Sequence, residues 1–459
     1  MARMRSTVAC LGAGLLALCA GVQTASAAAD LNRFVVLGDS FAAGFADGGL
    51  AAGGQRSGFA RRIAGQANGA TASFEQPVMS APGIPAVNEL SGGAARVLTP
   101  KAGLGSPINL TLPRPYDNLA VPGALAGDVH RTRSDGGGLH DLILRGLGSQ
   151  LEQAQLLEPT FVSLWVGSTD ALRAAVSGVV LDGVTLTPTA DFAAHYNLIV
   201  QTLVAGGTTD GVVATIPEVT ALPFVTTAAT VVAVDSGSGF GVPLAGPDGP
   251  LSDGDSVLMS ATPLLARGDG VPVELGGSGR PLPDNVVLSR KEARQIRGRV
   301  AEYNRVIRRA AADVGFAVVE TAAVFDEAKR RLIEADLFSL DGIHPSPLGQ
   351  ALLANAFIGA INRTYGGSIP EIDITAESAT LGLRGSTVAE RRIVFSRRAY
   401  RSLRFSLGIP KTGRLLRMKQ RALRRLEQER RKRLERFRRY KLPPPPRLAQ
   451  VFNRTATTL

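Results

Sequence analysis

Cysteine is almost absent: two residues in 459, Cys10 and Cys19, both within the first 27 positions. If that stretch is removed, the rest of the chain has no thiol, which excludes disulfides and thiolate chemistry. Histidine is nearly as scarce, with only His130, His140, His195 and His344 to supply an imidazole. No two of them stand at metal-ligating helical spacing, and there is no Asp-x-Asp-x-Asp-Gly loop and no phosphate-cradling glycine motif. The expectation is chemistry without metal or cofactor. Long apolar runs are also missing. The run from Val8 to Val22 falls short of the roughly 20 residues that a comfortable membrane span wants. It follows Arg3 and Arg5 and leads into Ala25-Ser26-Ala27, the small-x-small pattern of a signal-peptidase site. Residues 1–27 therefore read as a signal removed on export to the periplasm or the exterior, with an uncleaved anchor as the alternative. A lipid anchor is disfavoured, because Leu18 precedes Cys19 where a lipoprotein signal wants a small residue.

Charge is present in both signs, but not in the same place. The net charge of +12 hides 24 Lys+Arg against 5 Asp+Glu in residues 376–459, which leaves 27 against 34 in the rest. The chain thus divides into an acidic domain, residues 28–375, and a basic tail, residues 376–459. Within the tail, residues 411–441 set Leu415, Met418, Leu423, Leu426, Leu434 and Phe437 at partly helical spacings among arginines, and the prolines from Pro443 stop the pattern. A basic amphipathic helix of this kind suits an anionic envelope or membrane surface; the competing reading is a solvated, weakly ordered extension. Nucleic acid is not expected, since export argues against it and no aromatic-interleaved base-binding pattern occurs. The repeated alternating segments of a translocator β-barrel are missing too.

Between these ends, apolar runs alternate with helical spacings. Strands are expected at Phe34–Leu37, Thr160–Val166, from Gly211, and at Phe316–Glu320. Helices are expected at Gly58–Ala64, Ala190–Val204, Ser289–Ala312 and Ser346–Tyr365. Ser289 with Glu292 three positions on has the form of a capping box. Strands separated by helices predict a mostly parallel sheet covered on both faces, a three-layer α/β/α sandwich. Two stretches rich in Gly and Pro, about 68–115 and 218–285, read as irregular insertions.

The stretch FVVLGDSFAAG, residues 34–44, places Ser40 three residues beyond an apolar run, where an open parallel sheet presents reactive groups. Alone it reads more readily as a turn with Ser40 capping a helix than as a nucleophile. It is not the G-x-S-x-G elbow, because Ala42 stands where that motif has Gly. A serine nucleophile needs a base, and the base an orienting acid. His195 lies in a helical pattern beside Tyr196, and His130 and His140 lie in a Gly- and Arg-rich stretch. His344 differs: in SLDGIHPSPLG, residues 339–349, it follows Asp341 by three and precedes a helix, so one loop presents acid and base together.

With these residues the chain resembles the GDSL esterase/lipase family, the SGNH hydrolases. Four blocks occur in the family's order: GDSF with Ser40; YDNLAVPGA with Asn118 and Gly123; WVGSTD with Gly167, Thr169 and Asp170; and DGIHPSPLG. The likeness runs from about Asn32 to Ile374. It implies an SGNH-hydrolase-like, flavodoxin-like sandwich and a secreted or periplasmic serine hydrolase acting on small-molecule or lipid esters without a cofactor. By the same resemblance Ser40 is the nucleophile, His344 the base and Asp341 the acid. The amides of Ser40 and Gly123 are oxyanion donors, with a side chain from the third block. Asp39 and Asn118 take supporting places, as do Gly167 and Asp170. Gly123, lacking Cβ, is expected to let the backbone approach the substrate. The third block departs from the family's Gly-x-Asn-Asp, because Thr169 occupies the asparagine position. A threonine hydroxyl offers one donor on a shorter stem than an amide. Three readings stay open: Thr169 or Ser168 substitutes, a water bridges, or the site is degenerate. The last corresponds to a rival class, a weakened SGNH module binding an acylated ligand or envelope surface. Phe41, Phe59, Trp165 and Leu172 are candidates for a substrate pocket or for core.

Overall fold

The computed structural model describes residues 28–69, 73–92, 96–208, 210–227, 244–331, 337–381 and 393–439. The proposed signal and the proline run after residue 442 lie outside them. Four strands form one parallel sheet in sequential order: β1 (Phe34–Gly38), β2 (Phe161–Trp165), β3 (Asp210–Ala214) and β4 (Ala317–Val319). Residues 117–121 run beside the free edge of β1: Val36 N donates to Asp117 O at 2.8 Å, Leu119 N to Val36 O at 2.8 Å and Val121 N to Gly38 O at 3.1 Å. Every residue of β1 and β2 is buried, as their uninterrupted apolar sequence requires of strands covered on both faces.

The covering helices used below are α1 (Phe59–Asn68), α2 (Gln150–Leu156), α3 (Ser168–Ser177), α4 (Thr189–Ala205), α5 (Arg290–Val314), α6 (Pro347–Tyr365), α7 (Arg397–Ser406) and α8 (Thr412–Arg439). Helices α1 and α6 pack on each other, as do α4 and α5, and both α5 and α6 reach β3 and β4. The expected α/β architecture with a parallel central sheet flanked by helices is what the chain adopts. Each expected strand and helix of the domain is present within a few residues. Ser289 and Glu292 close the capping box on α5, and Ser149 with Glu152 closes a second on α2.

Two stretches are more ordered than their composition suggests. Within 68–115, Asn88–Ser91 pairs antiparallel with Arg96–Pro100. Within 218–285, Val225–Thr227 and Ser256–Leu258 pair antiparallel, and Val287–Leu288 joins them over a small core of Leu244, Val257, Ala261, Leu282, Val286 and Val287.

The charge boundary at 375 is not a packing boundary. Ile393–Phe395 runs parallel to Arg96–Pro100 as the third strand of that sheet. Phe395, Leu403, Leu407 and Leu415 are all buried in the main core. Lys419, in the second turn of α8, is held by Asp284 at 2.8 Å and by Glu292 at 3.0 Å. From Arg421 onward the described side chains of α8 are exposed apart from Ala422. A basic composition marks where charge sits, while the buried Phe and Leu among the arginines decide what docks.

Candidate active site

β1 ends at Gly38, whose amide and carbonyl are both held by the side chain of Gln150 at 2.9 and 3.1 Å. Gly38 must be bare, because a Cβ there would sit 2.3 Å from Trp165 O. The chain then turns, and Ser40 emerges at the carboxyl end of the sheet. Its Oγ lies 2.8 Å from His344 Nε2, and His344 Nδ1 lies 2.8 Å from Asp341 Oδ2. The three residues expected from two distant blocks therefore form one linear relay. It is dry: Ser40 is 1 % exposed, and His344 and Asp341 are 0 % exposed.

Asp341 accepts five hydrogen bonds. Oδ1 takes Ser339 Oγ at 3.0 Å and the amides of Ile343 and His344 at 2.9 Å; Oδ2 takes the amide of Gly48 at 2.9 Å besides the imidazole. Burial alone would push its carboxyl up, but His344 and these amides outweigh it and hold Asp341 below the usual carboxylate range. Asp341 is thus an ionised acceptor that fixes the imidazole with Nδ1–H toward itself and Nε2 toward Ser40. The rings of Phe41 and Phe45 flank His344 at 5.3 and 4.7 Å.

Asp39 bridges the first and third blocks. One carboxylate oxygen accepts from Phe41 N at 3.1 Å, and the other from Thr169 N at 3.3 Å in the first turn of α3. Burial raises its carboxyl to about 6 against those amide bonds. Asp170 is also buried and raised, to about 7, chiefly by desolvation; its Oδ2 accepts from Ala126 N at 3.0 Å. Asn118 braces its own segment, donating to Ala42 O at 3.0 Å and accepting from Ala120 N at 3.1 Å. Gly167 opens α3 at φ +115°, where a Cβ would meet Phe192 at 2.7 Å. These four residues hold the blocks together.

Four donors stand apart from this network. Among the described residues none accepts from the amide of Ser40 or of Gly123, although Asp39, Phe41, Val121 and Ala124 around them all donate. Thr169 Oγ1 is buried with no partner, and so is Ser168 Oγ. Buried amides are nearly always paired, so these two are exceptions that leave a donor open.

The structure corrects one expectation. The bare side of Gly123 faces protein: at φ +84° its Cβ would lie 2.1 Å from Ser406 O, so the missing side chain makes room for α7. Of the two readings open for Phe41, Phe59, Trp165 and Leu172, the structure takes core packing. Phe41 and Phe59 pack on Trp165 at 5.1 and 5.5 Å, Phe59 stacks on Phe357 at 4.4 Å, and Leu172 is buried in the same cluster.

His130 and His195 are remote from the relay and face each other, Nε2 to Nδ1, at 3.0 Å; burial lowers both below the usual imidazole range. His140 Nδ1 pairs with Asp135 at 3.2 Å. Sequence reasoning missed the clamp on the acid loop: Leu340 N donates to Asp47 Oδ1 at 2.7 Å, and Asp47 N to Ser339 Oγ at 3.0 Å. Asp-Gly-Gly at 47–49 is a turn-type sequence, but no local pattern names what such a turn will bind.

The family described as GDSL-like lipase/acylhydrolase matches residues 34–357, which include all four blocks. No match was found among curated proteins. Among solved structures, the chain is similar to an acetylxylan esterase from Geobacillus stearothermophilus at 14 % identity and a TM-score of 0.34, covering 72 % of this chain and 93 % of that one. It is also similar to an alpha/beta hydrolase enzyme from the metagenome of Lake Arreo, Spain, at 14 % identity and a TM-score of 0.34, covering 72 % and 94 %.

Proposed function

The chain belongs to the GDSL-like lipase/acylhydrolase family and is by that membership a carboxylic ester hydrolase, and we propose that it acts through a Ser40–His344–Asp341 relay with a modified oxyanion hole. The observation that carries this reading is the relay itself, 2.8 Å at each contact and closed to solvent. His344 Nε2 takes the Ser40 proton as Oγ attacks the ester carbonyl. Asp341, kept ionised, stabilises the imidazolium that results. The carbonyl oxygen becomes an oxyanion held by the Ser40 and Gly123 amides. Thr169 Oγ1 adds a third donor in place of the family's asparagine amide. Collapse expels the alcohol, which receives the proton from Nε2. Water, deprotonated by the same nitrogen, then releases the acid and restores Ser40.

Three unpaired donors support a working hole over a degenerate one. The test is covalent labelling of Ser40 with a fluorophosphonate probe, alongside hydrolysis of short-chain p-nitrophenyl esters. Labelling and turnover that vanish in Ser40→Ala are expected. No labelling would leave the weakened binding module as the better description.

Export of this hydrolase is supported by the composition of residues 1–27 and by the absence of cysteine beyond them. Beyond Lys419, α8 exposes Leu423 and Leu426 among arginines, a pattern suited to anionic headgroups. No helix of the described residues is long and apolar enough to cross a membrane.

A further inference from the structure

Arg173 lies on α3 one turn beyond Thr169 and Asp170, and its guanidinium joins two segments far apart in sequence. Nη2 donates to Gly123 O at 3.1 Å and Nε to Leu407 O at 2.7 Å. The fit is close on both sides. A Cβ on Gly123 would lie 2.1 Å from Ser406 O, and one on Gly408, at φ +60°, would lie 2.6 Å from Arg173 Nη2. The carbonyl of Gly123 is thus held while its amide is left without an acceptor. A second contact ties the same extension to the other half of the site. Phe395 packs edge-on against Phe224 at 5.7 Å, and Phe224 N donates to the carbonyl of Gly342, between Asp341 and Ile343, at 2.8 Å.

We propose that Arg173 is a positioning residue for the Gly123 oxyanion donor, clamping the Gly123 loop to residues 406–408, so that this short segment of the extension braces the active site. The inference rests on the reading of Gly123 as an oxyanion donor. Its physical basis is geometric. A residue at positive φ with no side chain has the widest choice of backbone conformation, and fixing its carbonyl restricts which way its amide points. Only a guanidinium presents planar, divergent donors that bind both carbonyls at once; a lysine ammonium is a point donor on a flexible stem. The family match ends at residue 357, so Leu407, one of the two partners of Arg173, lies outside the matched region.

The test uses the full chain, with wild type and Ser40→Ala first defining the Ser40-dependent rate. Arg173→Lys and Arg173→Gln are expected to lower kcat roughly 10- to 100-fold, the scale of a misplaced catalytic group, with KM little changed. Gly408→Ala, which keeps Arg173 but crowds its Nη2, is expected to lower kcat in the same sense, and it serves if the Arg173 variants fold poorly. Tyr400→Phe removes another anchor of the extension, the bond from Tyr400 Oη to Val176 O at 3.1 Å, without touching the Gly123 loop, and should leave kcat unchanged. Rates are referred to active sites titrated with fluorophosphonate, so loss of folded protein does not register as loss of kcat. Wild-type kcat in both Arg173→Gln and Gly408→Ala, or an equal loss in Tyr400→Phe, overturns the inference alone. A wild type with no Ser40-dependent turnover would overturn it together with the functional reading beneath it.

Discussion

The base side of this site and the oxyanion side proposed for it are built on opposite principles. On the base side every polar side-chain atom of the acid and the base is engaged: Asp341 accepts five hydrogen bonds, and His344 is held between Asp341 and Ser40. On the oxyanion side the donors are left free, and it is their supports that are bonded. Asp39 holds the start of α3, Asp170 holds Ala126 and Arg173 holds Gly123. The difference follows from when each side does its work. The relay must have its tautomer and direction set before substrate arrives, whereas an oxyanion hole must keep donors unpaired for a charge that exists only during reaction. Unpaired buried donors cost stability, roughly 1–3 kcal/mol each. A dense bonded frame behind them is the means of keeping them in place.

This contrast can be broken at several points. The largest effect is expected on the base side. Asp341→Asn preserves shape but replaces the acceptor for Nδ1–H with a group able to favour the wrong tautomer, and should lower kcat about 10⁴-fold with fluorophosphonate labelling slowed in parallel. On the oxyanion side, Thr169→Val removes the hydroxyl at nearly constant volume. A drop of about 10²-fold in kcat, with KM held, is expected if the hydroxyl meets the oxyanion. Thr169→Ser, which keeps the donor, should stay within a few-fold of wild type; equal activity in Thr169→Val would assign the hole to the two amides alone.

The smallest effect concerns the frame. Asp39 and Asp170 are raised from 3.8 to about 6 and about 7 in the folded protein. Between those values and 3.8 the folded state binds more protons than the unfolded, so their contribution falls as pH rises through that window. Asp341 has the opposite sign: its contribution is present above 3.8 and is lost as pH falls through its lowered value. Urea melts across about pH 4 to 7 should therefore show a downward slope from the two raised carboxyls that flattens in Asp39→Asn, by up to about 1.4 kcal/mol per pKa unit removed. An unchanged slope would mean that other groups set the pH dependence.

Much of this was legible in the sequence. FVVLG, TFVSLWV and the run after Gly211 announced a parallel sheet because strands covered on both faces need continuous apolar side chains. Ser40, Asp341 and His344 were nameable because one histidine followed an aspartate by three residues ahead of a helix. The blocks also named Asn118 and Asp39 as candidates for supporting places. The pocket candidates did not separate themselves from core, since a large apolar residue near a motif has the same composition in either place. Nor did Arg173 stand out: its partners are backbone carbonyls, which carry no residue identity.

The local sequence by itself determined the elements, the order of the four blocks and the chemical types gathered in them, because propensity, capping and motif spacing act over a few residues. It also determined the basic composition of the extension. Only tertiary structure decided that the extension's first part belongs with the site. Charge is a sum over residues and is indifferent to place, while burial of Phe395, Leu403 and Leu407 and the closure of Ser406 over Gly123 depend on a surface that exists only once residues hundreds of positions apart have come together.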